Sequence, residues 1–214
     1  VSPRTISLAI DTELWRVHPQ AKPATVFNEG LADDVFGGHR FDGTLTDPYP
    51  YLYAARDCAT ALLERFGRDV PFNHQGIRLV PRSAVARQCI SAMRVAAPLT
   101  LISLLSSQDL AAVCQDEWLI QSDPAEYPQT RRWGSWLRTQ APDADGIIWP
   151  SRRNLNHRAI VLFGDRCPHP VRDIDDSTIN LDSLRGGIYL NTKLRRHHIQ
   201  VKLPARRLGA NDAI

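Results

Sequence analysis

"GIIWPSRRN", Gly146 to Asn154, and "RAIVLFG", Arg158 to Gly164, decide how this chain is to be read. Each is a run of large apolar residues, too short for a helix, that ends at a turn-forming residue, the pattern of a buried strand. The first run stops at Pro150, and a lone serine, Ser151, precedes Arg152 and Arg153. Ser and Asn are ordinary turn residues after a strand closed by proline. The same residues suit an anion, because a hydroxyl, arginine forks and free backbone N–H groups all bind phosphate oxygens. Both readings stand at this point.

Outward from these strands the periodicity is mixed. "ELWRVH" from Glu13 and "YLYAA" from Tyr51 predict strands, and the stretch between them, rich in Pro, Gly and Asp, predicts a long irregular connection. "CATALLERFG" predicts a helix with Asp57 as its N-cap, an apolar stripe of Ala59, Leu62, Leu63 and Phe66, and Gly67 as its stop. Glu64 lies on a different face from Leu62. "CISAMRVA" and "LTLISLL" predict two more strands, "DLAAVCQDEWL" a helix. A further helix is predicted to begin near Thr130, with Trp133, Trp136 and Leu137 as its apolar positions and Pro142 beyond its end. Strands and helices intermixed with long connections imply an α+β domain around a strongly bent or split sheet.

With 214 residues the chain suits one domain with an extension. The longest mostly apolar stretch, "VAAPLTLISLL" from Val95, is too short for a membrane span and is broken by Pro98, Thr100 and Ser103. The first residues do not resemble a signal peptide. Four cysteines stand singly at 58, 89, 114 and 167, without the spacing of a zinc ribbon or a disulfide framework. The expectation is a cytoplasmic protein with no metal; Cys167 and His169 supply at most two ligands. Residues 185–214 hold seven Lys or Arg and one acid, Asp212, a net +6 that leaves −3 for the rest of a chain whose total is +3. Such a tail reads as a solvated terminal arm or as a non-specific contact for nucleic acid or an acidic partner. Only Lys22, Lys193 and Lys202 of the 26 basic residues are lysines. Arginine forks favour phosphate and carboxylate recognition, although genome composition produces the same bias.

Five segments in order, "LWRVH", "GGHRFDG", "YLYAARDCATALLE", "GIIWPSRR" and "NHRAIVLFG", resemble the RES domain, a family named for its Arg, Glu and Ser. The resemblance covers roughly Arg16 to Gly164, within a first region at 1–184 followed by the basic extension at 185–214. It implies an ADP-ribosyltransferase-like fold and a bacterial toxin of a type II toxin–antitoxin pair. It further implies that the enzyme consumes NAD+ as substrate without a cofactor, in some members with inorganic phosphate as the attacking group. The implied partner is a helix-turn-helix (Xre-type) antitoxin, through which any DNA contact would run. Carried over by position, the family's Arg falls on Arg40, its Tyr on Tyr53, its Glu on Glu64, its Ser on Ser151 and its early Arg on Arg16. Trp149 stands where a tyrosine is usual, and the loop before Arg40 is long.

The chemistry suits those residue types. Breaking the nicotinamide–ribose bond develops an oxocarbenium-like centre, which a carboxylate such as Glu64 stabilises. Arg40 and Arg16 suit the pyrophosphate. Tyr53 suits a ring or ribose contact, and Ser151 a ribose or phosphate oxygen. Arg152, Arg153 and Asn156 are secondary candidates. Each assignment has a structural counterpart. Glu64 reads equally as a solvated helix residue beside Arg65 and Arg68. Arg16 and Arg40 read as ion-pair partners of Glu13, Asp33 or Asp42, and Tyr53 as strand core. The competing functions are protein ADP-ribosylation at the same site and a non-catalytic nucleic-acid-binding module acting through the basic tail. No G-x-G-x-x-G follows a strand, so a Rossmann site is excluded.

Overall fold

The two apolar runs form adjacent antiparallel strands in the computed structural model, with Ile148 opposite Ile160. The structure describes residues 2–33, 35–68 and 70–204. Its elements in chain order are β1 (Thr5–Leu8), β2 (Glu13–Pro19), β3 (Tyr51–Ala55), α1 (Cys58–Phe66), β4 (Arg78–Val80), α2 (Arg82–Val85), β5 (Gln88–Val95), β6 (Leu99–Ser103) and α3 (Ser107–Ala112). They continue with α4 (Trp118–Gln121), α5 (Tyr127–Gln140), β7 (Gly146–Pro150), β8 (Arg158–Phe163), β9 (Val171–Asp173), β10 (Ile179–Asn180), α6 (Leu184–Leu194) and β11 (Ile199–Val201). Among the described residues, no helix is long and apolar enough to cross a membrane.

The main sheet runs β1-β6-β7-β8-β3-β2-β5-β10, and β9 also pairs with β5. β5 is long enough to hold β10 at Cys89 and Ile90 and β9 at Met93 to Val95, so the sheet splits at this end. The result is the α+β architecture with a curled, split sheet that the sequence implied. β6 and β7 are parallel, and a parallel pair requires a crossover, here the helices α3 to α5. The two apolar runs show no clean alternation because both faces of the sheet are covered. Ile147, Trp149, Val161 and Phe163 face the α3–α5 side, while Ile148, Ile160 and Leu162 face the other. Gly146 has to be glycine, because a Cβ there would lie 2.2 Å from the Val161 carbonyl oxygen.

Helix α1 begins where the sequence places it. The Asp57 side chain accepts the Thr60 N–H at 2.9 Å, and the Gly67 N–H closes the other end on the Leu63 carbonyl at 2.8 Å. Two helical expectations need correction. "DLAAVCQDEWL" is not one helix: Cys114 adopts a left-handed conformation with φ 57°, and the Asp116 side chain accepts the Trp118 N–H to start α4. α5 begins at Tyr127 rather than near Thr130, since Pro128 is tolerated in a first helical turn. Its buried face holds Arg131 and Arg138 beside Thr130 and Leu137, whereas Trp133 and Trp136 are only partly covered.

The solvated-arm expectation for the basic extension also fails, over residues 185–204. Leu190 and Leu194 of α6 and Ile199 and Val201 of β11 pack into one core with Leu62, Leu63 and Phe66 of α1. β11 also pairs with β4 in a two-stranded parallel sheet. The positive charge of α6 is therefore spread over the outside of an amphipathic helix whose other face is buried. Residues 205–214 of the extension lie outside the described residues.

Candidate active site

A cavity of about 350 Å³ opens between β2 and β3, α1, and the connection that carries His39 and Arg40. That size falls within the range of small-molecule sites. Arg16, Arg40, Tyr53 and Glu64, drawn from four separate segments, all line it. Among the described residues lining the cavity, Glu64 is the one carboxylate.

Glu64 sits on the last turn of α1, half-buried. The Ser151 hydroxyl donates to its Oε1 at 2.5 Å. Ser151 is fully buried and does not line the cavity; its hydroxyl reaches the cavity through Glu64. The direction of that bond is fixed by the turn. Ser151 Oγ accepts the backbone N–H groups of Asn154 (2.9 Å) and Arg153 (3.2 Å), which occupies its lone pairs and leaves its single proton for Glu64. Two further bonds fasten this turn to the start of α1. Asn154 Nδ2 donates to Thr60 Oγ1 at 2.8 Å, and His157 Nδ1 lies 2.8 Å from Asp57 Oδ2. The serine of the opening segment is thus a turn residue and a carboxylate-orienting group at once.

Arg40 is buried, but it is not free to act as an anion clamp alone. Its Nη1 donates to the Leu119 carbonyl at 2.9 Å and to Ser122 Oγ, and its Nη2 donates to the Ser122 carbonyl at 3.1 Å. It ties the connection to the end of α4 while its Cζ lies 5.1 Å from the Tyr127 ring centre. Burial lowers its pKa, with Tyr127, Tyr53 and Glu64 partly offsetting this. Arg16 Nη1 donates to the Ala24 and Val26 carbonyls, each at 2.6 Å, and burial brings its pKa down to about 10. The expected alternatives, ion pairs of Arg16 or Arg40 with Glu13, Asp33 or Asp42, do not form among the described residues.

Tyr53 lines the cavity and also packs against the core of the sheet. It is half-buried, its hydroxyl accepts the Phe41 N–H at 2.9 Å, and its ring meets His39 and Trp149 edge-on at 5.6 and 6.2 Å. Burial, followed by the charge of Asp42, pushes its pKa well above the ordinary phenol value. The phenol therefore stays protonated. His39 is held towards the neutral form, chiefly by burial and further by Arg68 and Arg65, against Asp42 and Glu64.

Sequence reasoning did not assign four residues at this wall: His39, Arg65, Arg68 and Tyr127. Arg68 follows Glu64 by four positions, a spacing that places residues on one helix face, but Gly67 between them marks the helix end and hid the signal. Arg152 also lines the cavity, with Nη1 donating to the Ser122 carbonyl and pairing with Asp123 at 2.8 Å. Among the described residues no three His, Cys, Asp or Glu side chains are grouped to hold a metal ion.

Curated proteins gave no match to this sequence. Among solved structures, the chain is similar to one in the crystal structure of the M. tuberculosis MbcT-MbcA toxin–antitoxin complex. The TM-score is 0.56 and the identity 16%, over 82% of this chain and 86% of that one. At that identity the likeness speaks for the fold. A family model described as the RES domain matches residues 13–183, which include all five residues proposed from the sequence. With most of its length matched, this chain belongs to the RES domain family.

Proposed function

We propose that the protein is a toxin enzyme that cleaves NAD+ at the nicotinamide–ribose bond. The observation that carries this reading is Glu64, the one carboxylate among the described residues of the cavity wall, held by Ser151 in a cavity lined by Lys22 and five arginines. A dinucleotide presents both partners for such a site. Its pyrophosphate suits the cations, and its ribosyl carbon gains positive charge as nicotinamide departs. Glu64 faces that centre and stabilises it, Tyr53 and Trp149 offer aromatic surface to the rings, and the departing nicotinamide is neutral. Nicotinamide leaves without help from a metal or a protein nucleophile. Phosphate or water then attacks the ribosyl carbon, giving ADP-ribose 1″-phosphate or ADP-ribose. With a side chain as acceptor, the same site performs protein ADP-ribosylation.

The toxin role draws support from the RES family membership and from the fold neighbour, which comes from a toxin–antitoxin complex. We therefore expect a cognate antitoxin, of helix-turn-helix (Xre) type, that binds this chain in a hetero-oligomer and holds it inactive in the bacterial cytoplasm. DNA contact would belong to the antitoxin. A nucleic-acid module working through a free basic arm is disfavoured, because α6 packs its apolar face on α1 and β11 pairs with β4.

Incubation of the purified protein with labelled NAD+, with and without phosphate and in the presence of chelator, tests the reading. We expect nicotinamide release that chelator leaves intact and a product that changes with phosphate. Label retained on protein would select the ADP-ribosyltransferase chemistry. A folded protein that leaves NAD+ untouched under all these conditions would end the proposal.

A further inference from the structure

We infer that Arg65 and Arg68 form the cavity's phosphate-binding subsite, a pair of guanidinium groups that receives the phosphate oxygens of the ligand beside Glu64. The inference rests on the NAD+ reading for the natural ligand and adds which cations hold it. The five cavity arginines use their donors in two different ways. Arg16, Arg40 and Arg152 are engaged by protein oxygens: two carbonyls for Arg16, two carbonyls and a hydroxyl for Arg40, a carbonyl and a carboxylate for Arg152. Arg65 and Arg68 have no hydrogen-bond acceptor and no ion-pair partner among the described residues, although both line the cavity.

An arginine near a helix C-terminus often serves only to complement the helix dipole, by donating to the last free carbonyls. Neither does so here. The Gly67 N–H answers the Leu63 carbonyl, and Arg68 is held by an aromatic face instead. Its Cζ lies 5.4 Å from the centre of the Tyr127 ring, the ring that also carries Arg40 at 5.1 Å. Stacking fixes the plane of a guanidinium while leaving its N–H edge open, which is the state of a fork awaiting a bidentate oxyanion. Arg65 follows Glu64 directly and brings a second fork to the same end of α1. The positive potential of the pair is felt at His39, whose imidazolium form both arginines oppose.

The two sources of such an anion are the pyrophosphate of the dinucleotide and a free inorganic phosphate that acts as acceptor. Calorimetry with inorganic pyrophosphate and with inorganic phosphate, on wild type, Arg65→Ala, Arg68→Ala and the double variant, tests the site without any turnover. We expect a loss of about tenfold or more for Arg68→Ala and a larger loss for the double variant, the range for charge-assisted hydrogen bonds. Arg68→Lys should restore only part. Arg132→Ala, an exposed charge on α5 outside the cavity, controls for net charge and should bind as wild type. Thermal melts should stay close to wild type, because neither guanidinium satisfies a protein acceptor. In kinetics, a raised KM for NAD+ with kcat nearly unchanged identifies the pyrophosphate. A raised KM for phosphate with that for NAD+ unchanged identifies the acceptor. Arginine-dependent pyrophosphate binding in a protein that never turns over NAD+ would keep the subsite and remove the NAD+ reading. The inference is overturned if neither anion binds wild type, or if the folded double variant keeps both affinities and both KM values within twofold.

Discussion

The two walls of the cavity are built by opposite means. On one side, α1 and the turn after β7 are fastened by short motifs: the Asp57 cap, the Ser151–Glu64 bond and the Asn154–Thr60 bond. On the other, the irregular connection at 20–50 has little regular structure of its own and is captured by the buried face of α5. Arg131, 1% exposed, donates to the carbonyls of Gly37 at 2.9 Å and Asp33 at 2.5 Å. Thr130 donates to the Arg40 carbonyl at 2.8 Å, and Arg138 pairs with Asp47 and with Asp165 across the rings of Tyr49 and Phe163. Buried cations are tolerated there because backbone oxygens and carboxylates supply what water would. One wall thus positions the Glu64 carboxylate, and the other shapes the space around it.

This contrast is open to direct attack, and Glu64→Gln strikes hardest. The change keeps the size of the side chain and removes the charge that, on the proposed mechanism, faces the oxocarbenium centre. Turnover should fall on the order of 10² to 10³ in kcat, with affinity for NAD+ little altered. Expressed without antitoxin, wild type should drain NAD+ and stop growth, and the variant should be tolerated. A folded variant that depletes NAD+ at the wild-type rate would remove Glu64 from the chemistry.

Arg131→Met attacks the other wall and should be read in stability first. It removes the hydrogen bonds that the buried guanidinium donates to the Asp33 and Gly37 carbonyls; both acceptors sit on exposed residues and can turn to water, so the loss should be about 1.5 to 3 kcal/mol. A chemical denaturation midpoint equal to wild type would show that the connection is held without α5. Arg40→Ala falls between the two walls. Its guanidinium lines the cavity and also holds α4, so both substrate binding and stability should drop, by about 1.5 to 3 kcal/mol for the charge-assisted bonds lost. Lys should recover little, lacking the fork. Unchanged stability with raised KM would make Arg40 a ligand contact alone.

Ser151→Ala should be milder. Removing one hydroxyl that aims Glu64 costs about 1 kcal/mol, a fall of tenfold or less in kcat, with KM little affected because Ser151 is behind the wall. A dominant rise in KM would restore Ser151 to direct contact with substrate. The smallest effect is a pH limb set by His18, buried at 4% exposure. Its Nδ1 faces the Lys22 and Pro19 carbonyls and so carries the proton, while its Nε2 lies 2.9 Å from Ser91 Oγ. Burial, with Arg16 adding, lowers its pKa below 6.5. The unfolded chain therefore binds more protons in that window, and stability should fall as pH drops through 6.5 towards the lower folded-state value. Melts of His18→Gln across this range should lose that limb; an identical acid profile would assign it elsewhere.

The sequence by itself determined the elements whose signals are local. β7 and β8 were legible because both their faces are buried, α1 because Asp57 and Gly67 punctuate it, and the family because five short segments keep their order. These also brought Arg16, Arg40, Tyr53, Glu64 and Ser151 forward as one set. Only the tertiary structure decided what each of them touches. Ser151 turned inward because its turn consumes its lone pairs, and Arg40 became partly structural because α4 ends beside it. The arginines of α5 were hidden for the same reason: an apolar-stripe reading assigns charges to solvent, whereas Arg131 finds its acceptors on a loop more than 90 residues away. The basic extension was misread likewise, since composition registers its charges but not that α6 lays an apolar face on α1. Local hydrogen-bonding motifs and burial patterns are written in neighbouring residues; the partners that satisfy a buried charge are chosen by the folded chain.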